Sequence, residues 1–158
     1  MRRVMRYGLP IGMLVVIDQC IKLIINRYWF NSTFTIINNF LRFRPVINVN
    51  LSWGGNYFTF LRVPWVVNTL NILVIVVVYI CFHRYQQRLK KYEPWASLVF
   101  VLLMAGSICS LIDKLFWGGS LDFIQIPLFF TFDLKDCYLS LAILIFLFLS
   151  VYHERCDH

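Results

Sequence analysis

The sequence predicts a membrane protein that is all-α apart from a small extracytoplasmic β element, with four transmembrane helices and both termini in the cytoplasm. Three observations carry this. Of the 158 residues, 59% are hydrophobic and only 15% charged, and the mean hydropathy is +0.68. A soluble chain of this length could not hide that much apolar side chain from water. The apolar residues gather into four stretches, each near the ~20 residues that cross a bilayer. Basic residues cluster where four spans place them on one side of the membrane: Arg2, Arg3 and Arg6, then Arg84, Arg88, Lys90 and Lys91. That is the positive-inside pattern. Residues 1–158 read as a single integral membrane domain.

The first span, residues 7–29, opens behind the N-terminal arginines. It has the outline of a signal peptide, but it contains Asp18 and Lys22, lacks a small-x-small cleavage site, and ends in Tyr28-Trp29-Phe30. A retained helix with an interfacial aromatic belt fits better. Residues 31–63 alternate apolar and polar positions, as in Leu41-Arg42-Phe43-Arg44, and carry the turn signal Gly54-Gly55-Asn56. They predict a small β element lying on the outer leaflet. The second span, 64–82, is almost free of polar groups after Asn68 and Asn71, and the third, 95–116, starts behind Pro94, which suits a helix N-terminus. Residues 117–133 hold Gly118-Gly119, Pro127 and several phenylalanines, and read as an interfacial loop before the fourth span, 134–152.

Composition also excludes several functions. Fifteen Lys+Arg against eight Asp+Glu give a net charge of +7, but much of the excess sits beside apolar spans, so it is no nucleic-acid footprint. The five cysteines form no C-x-x-C pair and no disulfide framework; in apolar segments a thiol is a small packing residue. His83, His153 and His158 lie away from the carboxylates, so no zinc site is expected.

The chemistry therefore rests on acids. Asp18, Asp113, Asp122 and Asp136 lie inside or at the rim of apolar segments, where a carboxylate costs a few kcal/mol on insertion scales and marks a site. Asp18 and Lys22 are four apart and can pair on one helix face. Asp113-Lys114 ends the third span behind the small-residue run Ala105-Gly106-Ser107, and reads foremost as an ion-paired terminus that stitches helices together. Asp122 has no base beside it in the sequence. Asp133 suits a helix N-cap, which places Asp136 one turn in, where the helix dipole favours a negative charge. Two carboxylates brought together share one proton. The ionised one can activate water and the protonated one can polarise a carbonyl. Intramembrane aspartates also serve proton relays in carriers.

The order of motifs resembles signal peptidase II, the bacterial lipoprotein signal peptidase family, over essentially the whole chain. That family's Asp-Gln-x-x-Lys element is matched by Asp18-Gln19-Cys20-Ile21-Lys22. Its Gly-Asn-x-x-Asp-Arg and Val-Asp-Phe elements correspond to Cys109-Ser110-Leu111-Ile112-Asp113-Lys114 and Leu121-Asp122-Phe123. Its Phe-Asn-x-Ala-Asp element corresponds to Phe132-Asp133-Leu134-Lys135-Asp136. Among the departures are Ser110 for Asn, Lys114 for Arg, Asp133 for Asn and Lys135 for Ala. Lys114 keeps the charge without the planar fork of Arg; Lys135 stands where it can act on Asp136 or neutralise Asp133. For the family's outer Asn-x-Gly-Ala-Ala-Phe stretch, Asn50-Leu51-Ser52-Trp53-Gly54-Gly55 is the nearest match.

The resemblance implies an aspartic endopeptidase of the bacterial inner membrane, acting without metal or cofactor near the outer face. It would cut prelipoproteins before a diacylglyceryl-modified cysteine. Asp122 and Asp136 would form the catalytic dyad, with Asp18, Lys22, Ser110, Asp113 and Lys114 in support. Asn50 and Asp133 would contact substrate or orient the dyad. The expected partners are the lipidated precursor and membrane lipid, with the protein a monomer. A catalytically weak paralogue that binds precursors without cutting them, and a small proton-coupled carrier, are the competing readings.

Overall fold

In the computed structural model, residues 2–38, 40–48, 63–89 and 94–156 are described. Four helices dominate: α1 Arg2–Ile24, α2 Pro64–Leu89, α3 Pro94–Ile112 and α4 Leu134–Cys156. With the turns that extend α1 and α3, all four supply segments long and apolar enough to cross a membrane: Arg6–Trp29, Pro64–Tyr85, Pro94–Trp117 and Leu134–Val151. Most of their large apolar side chains point outward, among them Leu9, Met13, Leu73, Leu144 and Phe148. In water that surface would drive aggregation; in lipid it is the proper solvent-facing side.

α3 is the central helix and packs against α1, α2 and α4. Its buried Val99, Leu102 and Ala105 meet Tyr138 and Ala142 of α4, with Ile11, Leu14 and Val15 of α1 closing over them. Close approach of α3 and α4 depends on Gly106. A β-carbon there would lie 2.7 Å from the Leu139 side chain and 3.3 Å from the Lys135 carbonyl oxygen. Small residues are what membrane helices use to come this near.

Two helices end in a π-helical turn, Ile25–Trp29 after α1 and Asp113–Trp117 after α3. Such turns recur at functional sites. The second stops at Gly118, whose φ of 66° is left-handed and suits a residue without a β-carbon.

Strands β1 Phe34–Ile37, β2 Leu41–Asn48, β3 Ser120–Gln125 and β4 Thr131–Phe132 form an antiparallel sheet in the order β1-β2-β3-β4, with α2 and α3 between β2 and β3 in the chain. β2 and β3 pair through Val46↔Asp122, Ile47↔Leu121 and Asn48↔Ser120. The register shifts between Phe43 and Val46, where Pro45 has no N–H to give to a ladder. The β element expected from residues 31–63 is therefore only half of a sheet. The other half comes from the segment expected to be an interfacial loop. Consecutive burial of Leu121, Asp122 and Phe123 explains the difference: both faces of β3 are covered, so no alternation is left to read. Ile25, Leu121 and Phe123, with Phe30, Phe43 and Trp117 around them, fasten the sheet to the ends of α1 and α3. The turn signal at Gly54-Gly55-Asn56 and the match at Asn50 lie outside the described residues.

Candidate active site

Where the sheet meets the ends of α1, α3 and α4, the chain gathers nearly all of its intramembrane charge. Lys22 of α1 is fully buried, and its Nζ lies 2.9 Å from Asp18, 2.6 Å from Asp113 and 2.6 Å from Asp133. One ammonium thus ties α1 to the end of α3 and the start of α4. Gln19 adds a second clasp. Its amide nitrogen donates to Asp18 at 3.0 Å and Asp113 at 3.1 Å, while its oxygen accepts from the Trp117 indole at 3.2 Å.

The start of α4 is closed by a reciprocal cap. The Asp136 N–H donates to Asp133 Oδ1 and the Asp133 N–H donates to Asp136 Oδ2, each at 3.2 Å. This is the capping-box arrangement with aspartate at both positions. It holds Asp136 at a fixed place one turn into the helix. Asp133 does double duty, because its Oδ2 also receives Lys22 and Lys135. Burial works against its ionisation, but those two ammonium groups outweigh it and hold the Asp133 carboxyl below the usual carboxylate range.

Asp122 comes from β3. Strand alternation puts Ser120 and Asp122 on the same face, and the β2–β3 register brings Asn48 beside them. Ser120 Oγ donates to Asp122 Oδ1 at 2.6 Å, and Asn48 Nδ2 donates to Oδ2 at 3.0 Å. Lys135 Nζ stands 3.9 Å from Oδ1. Burial pushes the Asp122 carboxyl above the usual carboxylate range, against the pull of these partners.

One oxygen from each of Asp122, Asp133 and Asp136 lies within 4.8 Å of the others. Lys22 and Lys135 already answer the charge of this trio at Asp133. Asp122 and Asp136 open onto a cavity of about 380 Å³ that Asn48, Ser110, Lys114 and Phe130 also line. A buried face holding two carboxylates, with space in front for a peptide bond and a water, can carry out acid–base hydrolysis.

Of the residues singled out by sequence, Asp18, Lys22, Asp113, Asp122, Asp133 and Asp136 converge here, and Ser110 and Lys114 border the same cavity. Asn50 is outside the described residues. One pairing differs from expectation. Asp113 binds Lys22 and Lys135 rather than adjacent Lys114, which turns back to Ser110 Oγ one helical turn earlier. Gln19, Asn48, Trp117 and Ser120 were not singled out. Gln19 stands inside the Asp18–Lys22 element and Ser120 two residues before Asp122 on a strand, so both were within reach of sequence reasoning. Asn48 was not, because only the strand register reveals it.

Known proteins resemble this chain in sequence and in fold. A lipoprotein signal peptidase of Buchnera aphidicola is 35% identical over 85 residues, 51% of this chain and 51% of the relative. The match thus spans about half the length of that protein. A lipoprotein signal peptidase of Rickettsia bellii is 30% identical over 146 residues, covering 84% of this chain and 67% of the relative. A solved bacterial membrane enzyme superposes with a TM-score of 0.73 at 20% identity, over 97% of this chain and 92% of that one; at that identity the likeness is one of fold. The sequence model of the Signal peptidase (SPase) II family matches residues 11–152, and the chain belongs to that family.

Proposed function

We propose that this protein is an aspartic endopeptidase of the bacterial inner membrane that removes signal peptides from prelipoproteins, cutting before the diacylglyceryl-modified cysteine. The observation that carries the reading is the approach of Asp122 and Asp136 to within 4.8 Å on the wall of one cavity. Two like charges so close share a single proton at working pH. The ionised carboxylate takes a proton from water as its oxygen attacks the scissile carbonyl carbon. The protonated carboxyl gives its proton to the carbonyl oxygen, leaving a neutral gem-diol. When the C–N bond breaks, the carboxyl that accepted the water proton passes it to the departing amine. The other carboxyl recovers a proton from a diol hydroxyl. One water is consumed, an acid and an amine are released, and the dyad returns to its starting state.

Asp18, Lys22, Asp113 and Asp133 hold the three helix ends in register, and Ser120 and Asn48 orient Asp122. Ser110 and Lys114 line the same cavity, where they can meet the substrate. The basic clusters Arg2–Arg6 and Arg84–Lys91 favour a cytoplasmic placement of that end and of both termini. The sheet and dyad, built from the 1–2 and 3–4 connections, then lie at the outer face, where a lipid-anchored precursor can enter sideways from the leaflet. A monomer contains every group this chemistry requires.

The test is direct. Purified protein is incubated with a lipidated prelipoprotein peptide, and wild type is compared with Asp122→Asn and Asp136→Asn. Cleavage lost in both variants, with binding retained, is the expected result. A wild type that binds the peptide without cutting it would overturn the peptidase reading.

A further inference from the structure

We infer, resting on the peptidase reading above, that Lys135 acts through Ser120 as a positioning residue that makes Asp122 the ionised member of the dyad and leaves the shared proton on Asp136. The resemblance places alanine at this position, where this chain has a lysine. A lysine in the first turn of a membrane helix would ordinarily reach for the interface. Lys135 instead turns inward and is only 6% exposed.

Its three protons have three destinations. Nζ donates to Asp133 Oδ2 and to Ser120 Oγ, and lies 3.1 Å from Asp113 Oδ2. An ammonium can only donate, so Ser120 Oγ must accept from it. The single hydroxyl proton then has to go forward. The nearest acceptor is Asp122 Oδ1 at 2.6 Å, well inside Asp133 at 3.2 Å and Asp113 at 3.3 Å. Asn48 supplies the second Asp122 oxygen at 3.0 Å. A proton placed on either Asp122 oxygen would meet a donor hydrogen already aimed at it. Both sites therefore favour the carboxylate form.

Asp136 is supplied differently. Its Oδ2 takes one backbone N–H at 3.2 Å, and its Oδ1 accepts nothing among the described residues. Lys135 is its sequence neighbour, yet the ion pairs of Lys135 are with Asp113, Asp122 and Asp133. The charge of Lys135 is felt at both carboxylates, but its hydrogen-bond relay through Ser120 leads to Asp122 alone of the two. The other charges facing this pair are Asp133 ahead of α4, Asp113 and Lys114 at the end of α3, and Asp18 and Lys22 of α1. Lys114 donates to Ser110 and not to either dyad carboxylate. Arg42 and Arg44 of β2 are exposed, away from the cavity.

The pH dependence of kcat/KM for the lipidated peptide reads this. The acid limb reports loss of the base, here Asp122. Lys135→Met removes a cation about 4 Å away, and the limb should move up by about one to three pH units. Ser120→Ala should move it in the same direction by less, and Lys135→Arg should leave it near wild type. Because the two residues act on one carboxylate, the Ser120→Ala, Lys135→Met double variant should shift less than the sum of the single changes. A folded Lys135→Met protein whose acid limb stays in place, or whose alkaline limb moves instead, would overturn the inference. Should Lys135→Met fail to fold because Asp133 loses a partner, Ser120→Ala carries the same test.

A second readout needs no cleavage. The infrared carboxyl band of Asp122 is titrated in the Asp136→Asn background and assigned by its loss in the Asp122→Asn, Asp136→Asn double variant. Adding Ser120→Ala should raise its midpoint. An unchanged midpoint would sink the inference whether or not the wild type cuts the peptide, while a raised midpoint beside a wild type that does not cut would indict only the peptidase reading.

Discussion

Lys22→Met probes the centre of the charge network with little change in side-chain volume. In the wild type one fully buried ammonium meets carboxylate oxygens at 2.9, 2.6 and 2.6 Å. At an effective dielectric constant of about 20, each contact is worth about 6 kcal/mol of gross attraction, most of it offset by the cost of desolvating the ions. What a truncation reads is the penalty of the charges left behind. Asp113 and Asp133 keep Lys135, whereas Asp18 keeps no cation among the described residues, only the Gln19 amide at 3.0 Å and the Cys109 thiol. The loss should therefore lie near the lower end of the range for a broken buried pair, about 3 kcal/mol. Unfolding free energy in detergent micelles, from titration with SDS followed by far-UV circular dichroism, measures it at pH 7. Because Asp18 is the group left stranded, Lys22→Met combined with Asp18→Asn should recover much of the loss. A single variant within about 1 kcal/mol of wild type, or a double variant less stable than the single, would refute the reasoning.

Three further outcomes follow from the same geometry. Asn48→Ala removes one of the two hydrogen bonds that oppose the upward shift of Asp122, so the acid limb of the cleavage profile should move to higher pH while the fold is retained. Gly106→Val places branched carbons where a single β-carbon already meets Leu139 at 2.7 Å. It should prise α3 from α4 and cost about 1–3 kcal/mol in the same SDS titration. Asp133 has a folded-state pKa below its unfolded value of about 4, so its contribution is fully present above that value and lost as pH falls through the folded one. Stability measured from pH 6 downward should therefore fall less steeply in Asp133→Asn than in wild type; equal slopes would show that Asp133 is not the group responsible.

The helices were legible because lipid imposes a simple rule: about 20 apolar residues, flanked by charge on one side. The strand at Leu41-Arg42-Phe43-Arg44 was legible because one of its faces is exposed and the other is not. β3 was hidden for the opposite reason, since Leu121, Asp122 and Phe123 are all covered. The Asp113–Lys114 pairing failed on helical geometry. Adjacent residues on a helix diverge, whereas residues four apart face each other, which is how Asp18 finds Lys22 and Lys114 finds Ser110. The convergence of Asp122 with Asp136 could not be read from their spacing at all. Motif order pointed to it, and the sheet register and the cap on α4 supply the physical cause.

Four of the departures from the family pattern, the polar and charged ones, are not scattered. Ser110 and Lys114 stand where the resemblance places Asn and Arg, and here they hydrogen-bond to each other. Asp133 and Lys135 stand where it places Asn and Ala, and they form an ion pair with each other. The first couple keeps its positive charge; the second adds one charge of each sign and leaves the total unchanged. Independent loss of function would leave orphans, and an unpaired Asp133 or Lys135 at this depth would cost several kcal/mol. Each of these four is instead answered by another within direct contact. That pairing leaves none of the four without a partner of suitable charge or polarity. It also locates what is new: an added cation, anchored by its own added anion, at the edge of a dyad whose two carboxylates need to be told apart.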